Sequence, residues 1–251
     1  MIFGKYANLY DLYYAEKNYA AEVDFVLGMA ARFSGGSPAS VLDMGCGTGR
    51  HLLEFSRRGL ACAGFDMSEA MLAQARKRLA GRDVTLAQGN LTDFANGLTY
   101  DLVVSMFAVM GYLTTNGDLV AGLRTARRHL RPGGLFVFDG WFGPAVLANK
   151  PEIRTHEYAD GSQTVRRRAV PVLDPVRQTV QVRYEVRTYE GAKLLQEVQE
   201  EHCMRFMFVR EVALAMDAAG LELAHACPFL QADGTLALDT WNVSFVARKK
   251  K

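Results

Sequence analysis

The sequence has few residues of the kinds that build metal sites, disulfide frameworks or membrane spans. It contains only four cysteines, Cys46, Cys62, Cys203 and Cys227, with neither C-x-x-C spacing nor a histidine partner in register. We therefore expect no metal, and we expect buried, reduced thiols. No run approaches the roughly 18 apolar residues that span a bilayer, and the first residues carry no apolar signal core. These absences predict a cytoplasmic protein with no membrane partner.

Charge of either sign is also not in excess. The 29 Lys and Arg residues and 27 Asp and Glu residues leave a formal net charge of +2, so nucleic acid is not an obvious partner. No internal repeat or low-complexity tract occurs. With 251 residues, of which 49% are hydrophobic, the chain can form one large α/β domain plus a small insertion.

The most informative segment is VLDMGCGTGR, residues 41–50. An apolar strand there ends in Asp43 and leads into glycines at alternate positions, Gly45, Gly47 and Gly49. Such a turn brings bare backbone against a ligand, and a helix predicted at about 49–58 directs free N–H groups at the same place. The spacing G-x-G-x-G differs from the dinucleotide fingerprint G-x-G-x-x-G, which weakens an NAD interpretation.

A second buried strand ends in an acid at Asp66. In a parallel sheet with adjacent strands, this carboxylate lies beside the glycine turn and can accept both hydroxyls of a ribose. The periodicity predicts strands at about 40–44, 61–66, 84–88, 100–105 and 134–139, and helices at 19–33, 49–58, 68–80, 116–130 and 209–219. This alternation favours a doubly wound parallel sheet.

These residues resemble the S-adenosylmethionine-dependent methyltransferases with a seven-stranded α/β sheet. The segment from Asp43 to Gly49 is similar to the first motif of that family, Asp66 to its ribose acid, and Leu130 to Asp139 to its late strand with a Pro-Gly-Gly turn. The resemblance implies a mostly parallel sheet closed by an antiparallel hairpin at 221–227 and 242–248, with S-adenosylmethionine as cofactor. The expected cofactor-binding residues are Tyr10, Tyr19, Asp43, Gly45, Cys46, Gly47, Gly49, Asp66, Met67, Asn90, Leu91 and Met106. Asn90 stands where many relatives have an acid, and its amide oxygen can still accept a bond from adenine.

Residues 151–208 differ in character from the α/β alternation. Val180, Val182, Tyr184 and Val186 alternate with polar residues, which predicts half-buried antiparallel strands. We therefore divide the chain into a cofactor-binding domain at 1–150 and 209–251 and an inserted β lid at 151–208. An insertion after the fifth strand lies over the carboxyl ends of the strands, where ligands bind, so we expect it to select the methyl acceptor.

A narrower resemblance is to the methyltransferases that N-methylate amino groups of nucleotide-linked deoxysugars. It rests on Tyr10-Asp11, Lys17-Asn18-Tyr19, the segment 106–113 and the segment 139–144, and on the inserted sheet. It implies a small-molecule acceptor, a nucleotide-linked amino sugar. Tyr112 replaces a His that some relatives place near the acceptor amine, and Asp139-Gly140 replaces a Glu-Pro pair.

Methyl transfer from a sulfonium needs alignment more than acid or base, but the acceptor amine must be neutral. Candidates for holding or deprotonating it are Tyr112, Asp139, Trp141 and His202, and candidates for binding the acceptor are Arg183, Tyr184 and Arg205. A strict strand sends His202 and Arg205 to opposite faces, so only one of them can point at the site.

Two other functions stay open, and so does the oligomeric state, a monomer or a homodimer. The first is methylation of another small acceptor, such as an amino acid, a natural-product hydroxyl or a carboxylate. The second is a catalytically silent cofactor-binding protein, against which the intact glycine turn argues. A nucleic-acid methyltransferase is disfavoured because the Asn/Asp-Pro-Pro-aromatic motif is missing.

Overall fold

The structure, a computed structural model, describes residues 7–250, with side chains from residue 9 onward. Its helices are α1 (Ala7–Tyr13), α2 (Tyr19–Ser34), α3 (Arg50–Arg57), α4 (Glu69–Arg78), α5 (Asn116–Arg128), α6 (Gly143–Ala148) and α7 (Val209–Ala219). Its strands are β1 (Ser40–Met44), β2 (Ala61–Asp66), β3 (Val84–Gln88), β4 (Tyr100–Ser105), β5 (Leu130–Phe142), β6 (Arg154–Asp160), β7 (Gln163–Asp174), β8 (Thr179–Glu190), β9 (Lys193–Met207), β10 (Leu221–Pro228) and β11 (Asn242–Lys249). A short 3-10 turn, Val109–Tyr112, follows β4.

The central sheet has the strand order β3-β2-β1-β4-β5, and all four of these pairings are parallel. β11 then pairs antiparallel with β5, and β10 pairs antiparallel with β11. The doubly wound, mostly parallel seven-stranded sheet and its closing hairpin are therefore confirmed. Because strand order reverses between β1 and β4, the carboxyl ends of the strands leave a crevice there.

Both faces of this sheet are covered by helices, because successive side chains of each strand point to opposite sides. Val41 packs with residues of α2, α3 and α4 in one core cluster. The next residue, Leu42, packs with residues of α5 and α7 in another. The near-continuous apolar strands predicted from the sequence are thus buried on both faces.

The inserted strands β6 to β9 form an antiparallel sheet, as expected, but one that is continuous with the central sheet. β9 pairs in parallel with the end of β5, where Trp141 lies opposite Phe206 and Phe142 opposite Met207. This pairing explains why β5 extends to Phe142 and not only to 139. Helix α1, absent from the sequence prediction, packs through Tyr13 against the inserted sheet. The division into two functional domains stays a prediction.

Among residues 7–250, no helix is both long and apolar enough to cross a membrane. The same residues contain no group of three or more His, Cys, Asp and Glu side chains that could hold a metal ion. The prediction that all cysteines are buried is wrong for one of them. Cys203 is exposed, because it lies on the opposite face of β9 from the buried His202.

Candidate active site

The glycine turn after β1 is held by backbone bonds to the neighbouring strand. Gly45 and Cys46 donate their N–H groups to the carbonyl of Phe65 at 2.8 and 3.0 Å. The φ angles are 78° at Gly45, 54° at Gly47 and 76° at Gly49, a region that residues with a Cβ rarely adopt. A Cβ built on Gly47 would meet nothing within 4 Å, because this glycine faces a cavity. The turn therefore brings backbone, without side chains, to a ligand.

Asp66 ends β2 beside this turn. Its Oδ2 accepts the N–H of Gly47 at 2.9 Å, and its Oδ1 accepts the N–H of Ser68 at 2.8 Å. Burial raises the pKa of Asp66, while these N–H groups oppose the rise. Each carboxylate oxygen can accept a further bond, and the residue lines two cavities. This geometry fits the expected contact with two ribose hydroxyls.

Asp43 is the buried acid of the first motif. It is 1% exposed, and its Oδ2 has no hydrogen-bond partner among the described residues. Burial raises its pKa to about 8, and the negative charge of Asp66 adds to the rise. A buried carboxylate oxygen without a donor is costly unless a ligand supplies one. An ammonium group could supply such a donor, and Asp66 can accept ribose hydroxyls, so the residues fit the predicted cofactor. Asp43 itself lines neither of the two cavities beside Asp66, so its own contact with a cofactor stays a prediction.

At pH 8, Asp43→Asn is expected to be more stable than the wild type. An aspartate in the unfolded chain ionises near pH 4, whereas burial raises the pKa of Asp43 in the folded protein to about 8. The wild type therefore loses stability as pH rises from about 4 to about 8, and the variant has no such proton to lose. The gain in Tm should be absent near pH 4 and reach roughly 5 °C or more at pH 8.

Thermal unfolding of both proteins across this pH range measures the difference. Asp83→Asn, at an exposed loop position, is the control and should show no such trend. A gain that is the same at every pH would contradict the assignment to a buried carboxylate.

A cavity of about 570 Å³ lies on the nucleoside side of Asp66. Its lining includes Met67, Asn90 and Leu91, three of the residues predicted to bind the cofactor. The oxygen of Asn90 accepts bonds from the N–H and the hydroxyl of Thr92, both at 3.1 Å. Adenine would have to displace one of these bonds, so the role of Asn90 stays a prediction. Three residues of the inserted sheet also line this cavity, Gln181, Glu201 and Cys203.

A second cavity, of about 430 Å³, lies on the other side of Asp66 and is largely aromatic. Its aromatic residues are Tyr10, Tyr14, Phe107, Tyr112, Trp141, Tyr184, His202, Phe229 and Trp241. The two cavities share Gly45, Asp66, Val109 and Tyr112, so they form one cleft. Its size is typical of small-molecule sites, and its ring faces can stabilise a cation.

Asp139 lines the aromatic cavity, and its carboxylate accepts hydrogen bonds from the backbone of the loop that follows β4. Its two carboxylate oxygens accept the N–H groups of Phe107 at 2.5 Å and Ala108 at 3.1 Å. Those two residues have φ of 72° and 57°, a strained conformation for non-glycine residues. Burial raises the pKa of Asp139 to about 6, although the N–H groups lower it. Asp139 therefore shapes the cavity wall, and its role toward an amine stays a prediction.

Tyr112 and His202 are in contact in the wall of the aromatic cavity, although 90 residues separate them in the chain. Tyr112 Oη lies 2.7 Å from His202 Nδ1, and His202 Nε2 lies 3.3 Å from Glu200 Oε2. The ring of Tyr184 contacts the imidazole edge-on, with a centroid distance of 5.1 Å. Tyr112 lies in the 3-10 turn after β4. His202 and Glu200 lie on β9, and Tyr184 lies on β8.

Two of the predicted acceptor-binding residues line neither part of the cleft. Arg183 is half exposed and lies 3.3 Å from Glu185 on its own strand. Arg205 is buried, donates to Asn116 Oδ1 at 2.7 Å and bonds Glu211. His202 lines the aromatic cavity and Arg205 does not, and their roles toward an acceptor stay predictions.

Five predicted cofactor residues do not line the cleft: Asp43, described above, and Tyr19, Cys46, Gly49 and Met106. Tyr19 packs edge-on against His51, Met106 lies in the core, and Gly49 precedes α3, which starts at Arg50. Cys46 is buried, and this burial raises the pKa of its thiol. Their cofactor roles stay predictions.

Several cleft residues carry no clear signal in the sequence. Glu22 is buried, with Oε2 2.7 Å from His51 Nε2, and it pairs with Lys17. Arg167 stacks on Tyr184 with its Cζ 4.0 Å from the ring centroid, whereas its sequence neighbours Arg166 and Arg168 bond glutamates outside the cleft. The alternation of side chains along β7 predicts that Arg167 lies on the opposite face from Arg166 and Arg168. It does not predict which of the two faces lines the cleft.

Comparisons with known proteins agree with this geometry. A methyltransferase domain family matches residues 41–134. The dTDP-3-amino-3,4,6-trideoxy-alpha-D-glucopyranose N,N-dimethyltransferase of Streptomyces venezuelae is 34% identical over 88% of this chain and 91% of its own length. The dTDP-4-amino-2,3,4,6-tetradeoxy-D-glucose N,N-dimethyltransferase of Saccharopolyspora spinosa is 27% identical over 86% of this chain and 85% of its own.

Solved structures are also similar to this chain over nearly its whole length. The crystal structure of Streptomyces venezuelae DesVI superposes with a TM-score of 0.80 at 29% identity, covering 97% of this chain and 98% of that one. The structure of CalS10 with bound S-adenosylmethionine, an amino pentose methyltransferase from Micromonospora echinaspora, superposes with a TM-score of 0.75 at 26% identity. It covers 100% of this chain and 98% of that one.

Proposed function

We propose that this chain, which belongs to the S-adenosylmethionine-dependent methyltransferases, N-methylates the amino group of a nucleotide-linked deoxysugar. One observation carries the proposal: an aromatic cavity adjoins the cofactor cavity at Asp66 and Tyr112. The similarity to dTDP-amino-sugar N,N-dimethyltransferases over most of the chain supports it. We infer a cytoplasmic enzyme, a monomer or homodimer, as part of the same proposal.

S-adenosylmethionine supplies, when bound, a methyl group on a sulfonium that is already activated for in-line displacement. The chain itself then has to bind and orient the two reactants. Asp66 would hold the ribose, and Asp43, with its buried Oδ2 lacking a donor, would attract the ammonium of the cofactor. The rings of Tyr10, Tyr14 and Trp141 line the cavity and can stabilise positive charge there.

The acceptor would enter from the side of the inserted sheet. Arg167 lines the aromatic cavity and presents a guanidinium, which suits a diphosphate group. Its stacking on Tyr184 fixes the planar group against a ring. We therefore infer that the sugar amine lies near Tyr112 while the nucleotide diphosphate lies toward Arg167.

The test compares nucleophiles at one position of one acceptor. The protein is incubated with labelled cofactor and dTDP-3-amino- or dTDP-4-amino-deoxyhexoses, their hydroxyl analogues and free amino acids, and products are identified by mass spectrometry. We expect the amine to react at least about 100-fold faster than its hydroxyl analogue, because a hydroxyl needs stronger activation to become a nucleophile. Methylation of the hydroxyl analogue with an inert amine would overturn the proposal.

A further inference from the structure

We propose that Tyr112, His202 and Glu200 form a proton relay that removes the proton of the acceptor ammonium, with Glu200 as the positioning residue. The proposal rests on the N-methylation proposed above, and it assigns a path for the proton and a role for a carboxylate on β9. The three side chains are connected in series: Tyr112 Oη lies 2.7 Å from His202 Nδ1, and His202 Nε2 lies 3.3 Å from Glu200 Oε2.

The register of the inserted sheet puts these groups on its inner face. Tyr184 lies opposite Glu200, and Val182 lies opposite His202. Since side chains alternate along a strand, Glu200 and His202 share one face, and Glu201 between them lies on the other face, beside the nucleoside cavity. His202 is 3% exposed, and the side chain of Glu200 is 10% exposed. The relay therefore leads from the aromatic cavity, which Tyr112 and His202 line, to the slightly exposed carboxylate of Glu200.

Glu200 sets which imidazole nitrogen carries the proton. A carboxylate 3.3 Å from Nε2 favours the tautomer that has its proton on Nε2, because the carboxylate only accepts hydrogen bonds. Nδ1 then carries a lone pair, 2.7 Å from Tyr112 Oη. Tyr112 donates its proton to Nδ1 and leaves its oxygen lone pairs for a donor in the cavity.

The ammonium of the acceptor is such a donor. Its N–H bond breaks, the electron pair stays on nitrogen, and the proton goes to Tyr112 Oη. As this bond forms, the O–H bond of Tyr112 breaks and its proton goes to His202 Nδ1. The tyrosine stays neutral, the imidazole becomes an imidazolium beside the Glu200 carboxylate, and the Nε2 proton then leaves through Glu200 to water. One proton has moved from the amine to solvent, with no other reactant.

Burial explains why the tyrosine passes a proton on and does not act alone. Desolvation raises the pKa of Tyr112 well above its ordinary value, and the negative charges of Glu200 and Asp66 add to the rise. A buried phenolate is therefore disfavoured, whereas a neutral tyrosine between two partners is not. Besides its own three members, the charged and titratable groups around the relay include Tyr13, Tyr14, Asp66, Arg167 and Tyr184.

The kinetic test is the pH profile of kcat/KM with the amino-sugar nucleotide. At about pH 7 we expect Tyr112→Phe and His202→Asn to lose roughly 100-fold and Glu200→Gln roughly tenfold, within the range for proton-transfer catalysis. An amine with electron-withdrawing neighbours, such as an α-amino group with a pKa of about 8, is largely neutral near pH 10. An amino-sugar nitrogen is of this kind, so all three deficits should shrink there. Glu197→Gln, at an exposed site on the same strand, should behave as the wild type.

A second measurement needs neither cofactor nor acceptor. Nitrogen-15 NMR of histidine-labelled protein reports which nitrogen of His202 carries the proton, and the spectrum of His202→Asn identifies the signal. We expect the Nε2–H tautomer in the wild type and a mixture of tautomers in Glu200→Gln, because the Gln amide can also donate. Thermal unfolding and cofactor affinity show whether each variant is folded.

The outcomes separate this relay from the proposed function. Deficits that stay constant from pH 7 to 10, or an Nδ1–H tautomer in the wild type, would overturn the relay even if the amine is methylated. An Nε2–H tautomer that depends on Glu200 would support the relay even if every amino sugar is inert, in which case the acceptor assignment alone fails.

Discussion

Asp66→Ala is expected to weaken S-adenosylmethionine binding by roughly 30- to 1,000-fold, or about 2 to 4 kcal/mol. The carboxylate would lose two charge-assisted bonds to ribose hydroxyls. The glycine turn would also lose the hydrogen bond that the N–H of Gly47 donates to Asp66 Oδ2. Both losses act on the cofactor site, whereas Asp66 is only half-buried at a strand end, so the fold should survive.

Calorimetric titration with the cofactor measures this change, and circular dichroism checks the fold. Asp66→Asn keeps one acceptor oxygen and should lose less affinity. The exposed Asp83→Ala provides the matched control at a position away from the cleft. A folded Asp66→Ala protein that binds the cofactor as tightly as the wild type would remove Asp66 from the site.

Tyr184→Ala is expected to raise the KM for the acceptor or lower kcat by at least about tenfold, while cofactor affinity stays within a few-fold. Tyr184 lines the aromatic cavity, supports the His202 ring edge-on and carries the stacked Arg167. Removing the ring would therefore disturb both the amine site and the proposed diphosphate contact.

The adjacent residue provides a matched control. Arg183 lies on the same strand, lines neither cavity and pairs with Glu185, so Arg183→Ala should leave acceptor kinetics nearly unchanged. Steady-state kinetics at saturating cofactor, together with cofactor titration, make the comparison. Equal effects at both positions, or a loss of cofactor binding at Tyr184→Ala, would indicate that the inserted sheet is a structural prop or an oligomer interface.

The adjacency of the glycine turn and Asp66, on the predicted cofactor side of the site, could be predicted from the sequence because these parts are local. Three alternating glycines after Asp43 require an open turn whatever the rest of the chain does, and an acid at the end of the next parallel strand must lie beside that turn. The order of strands and helices follows from the same periodicity, since apolar runs of strand length between amphipathic helices favour one architecture.

The acceptor side could be predicted only in outline. Period-two alternation indicates that Arg183 and Tyr184 face opposite ways, but not which of them faces the aromatic cavity. The pairing of β9 with the end of β5 decides this, because it orients the inner face of the inserted sheet toward the crevice. The same packing turns Arg205 away to Glu211.

The sequence by itself determined the methyltransferase-like sheet and the position of the glycine turn and Asp66, because backbone conformation and strand adjacency act over short stretches of chain. Only the tertiary structure decided that the carboxylate of Asp139 accepts the backbone N–H groups of Phe107 and Ala108. It also decided that Tyr112 meets His202. Contacts between residues far apart in the chain depend on strand register and on how the inserted sheet joins β5, and no local pattern encodes either.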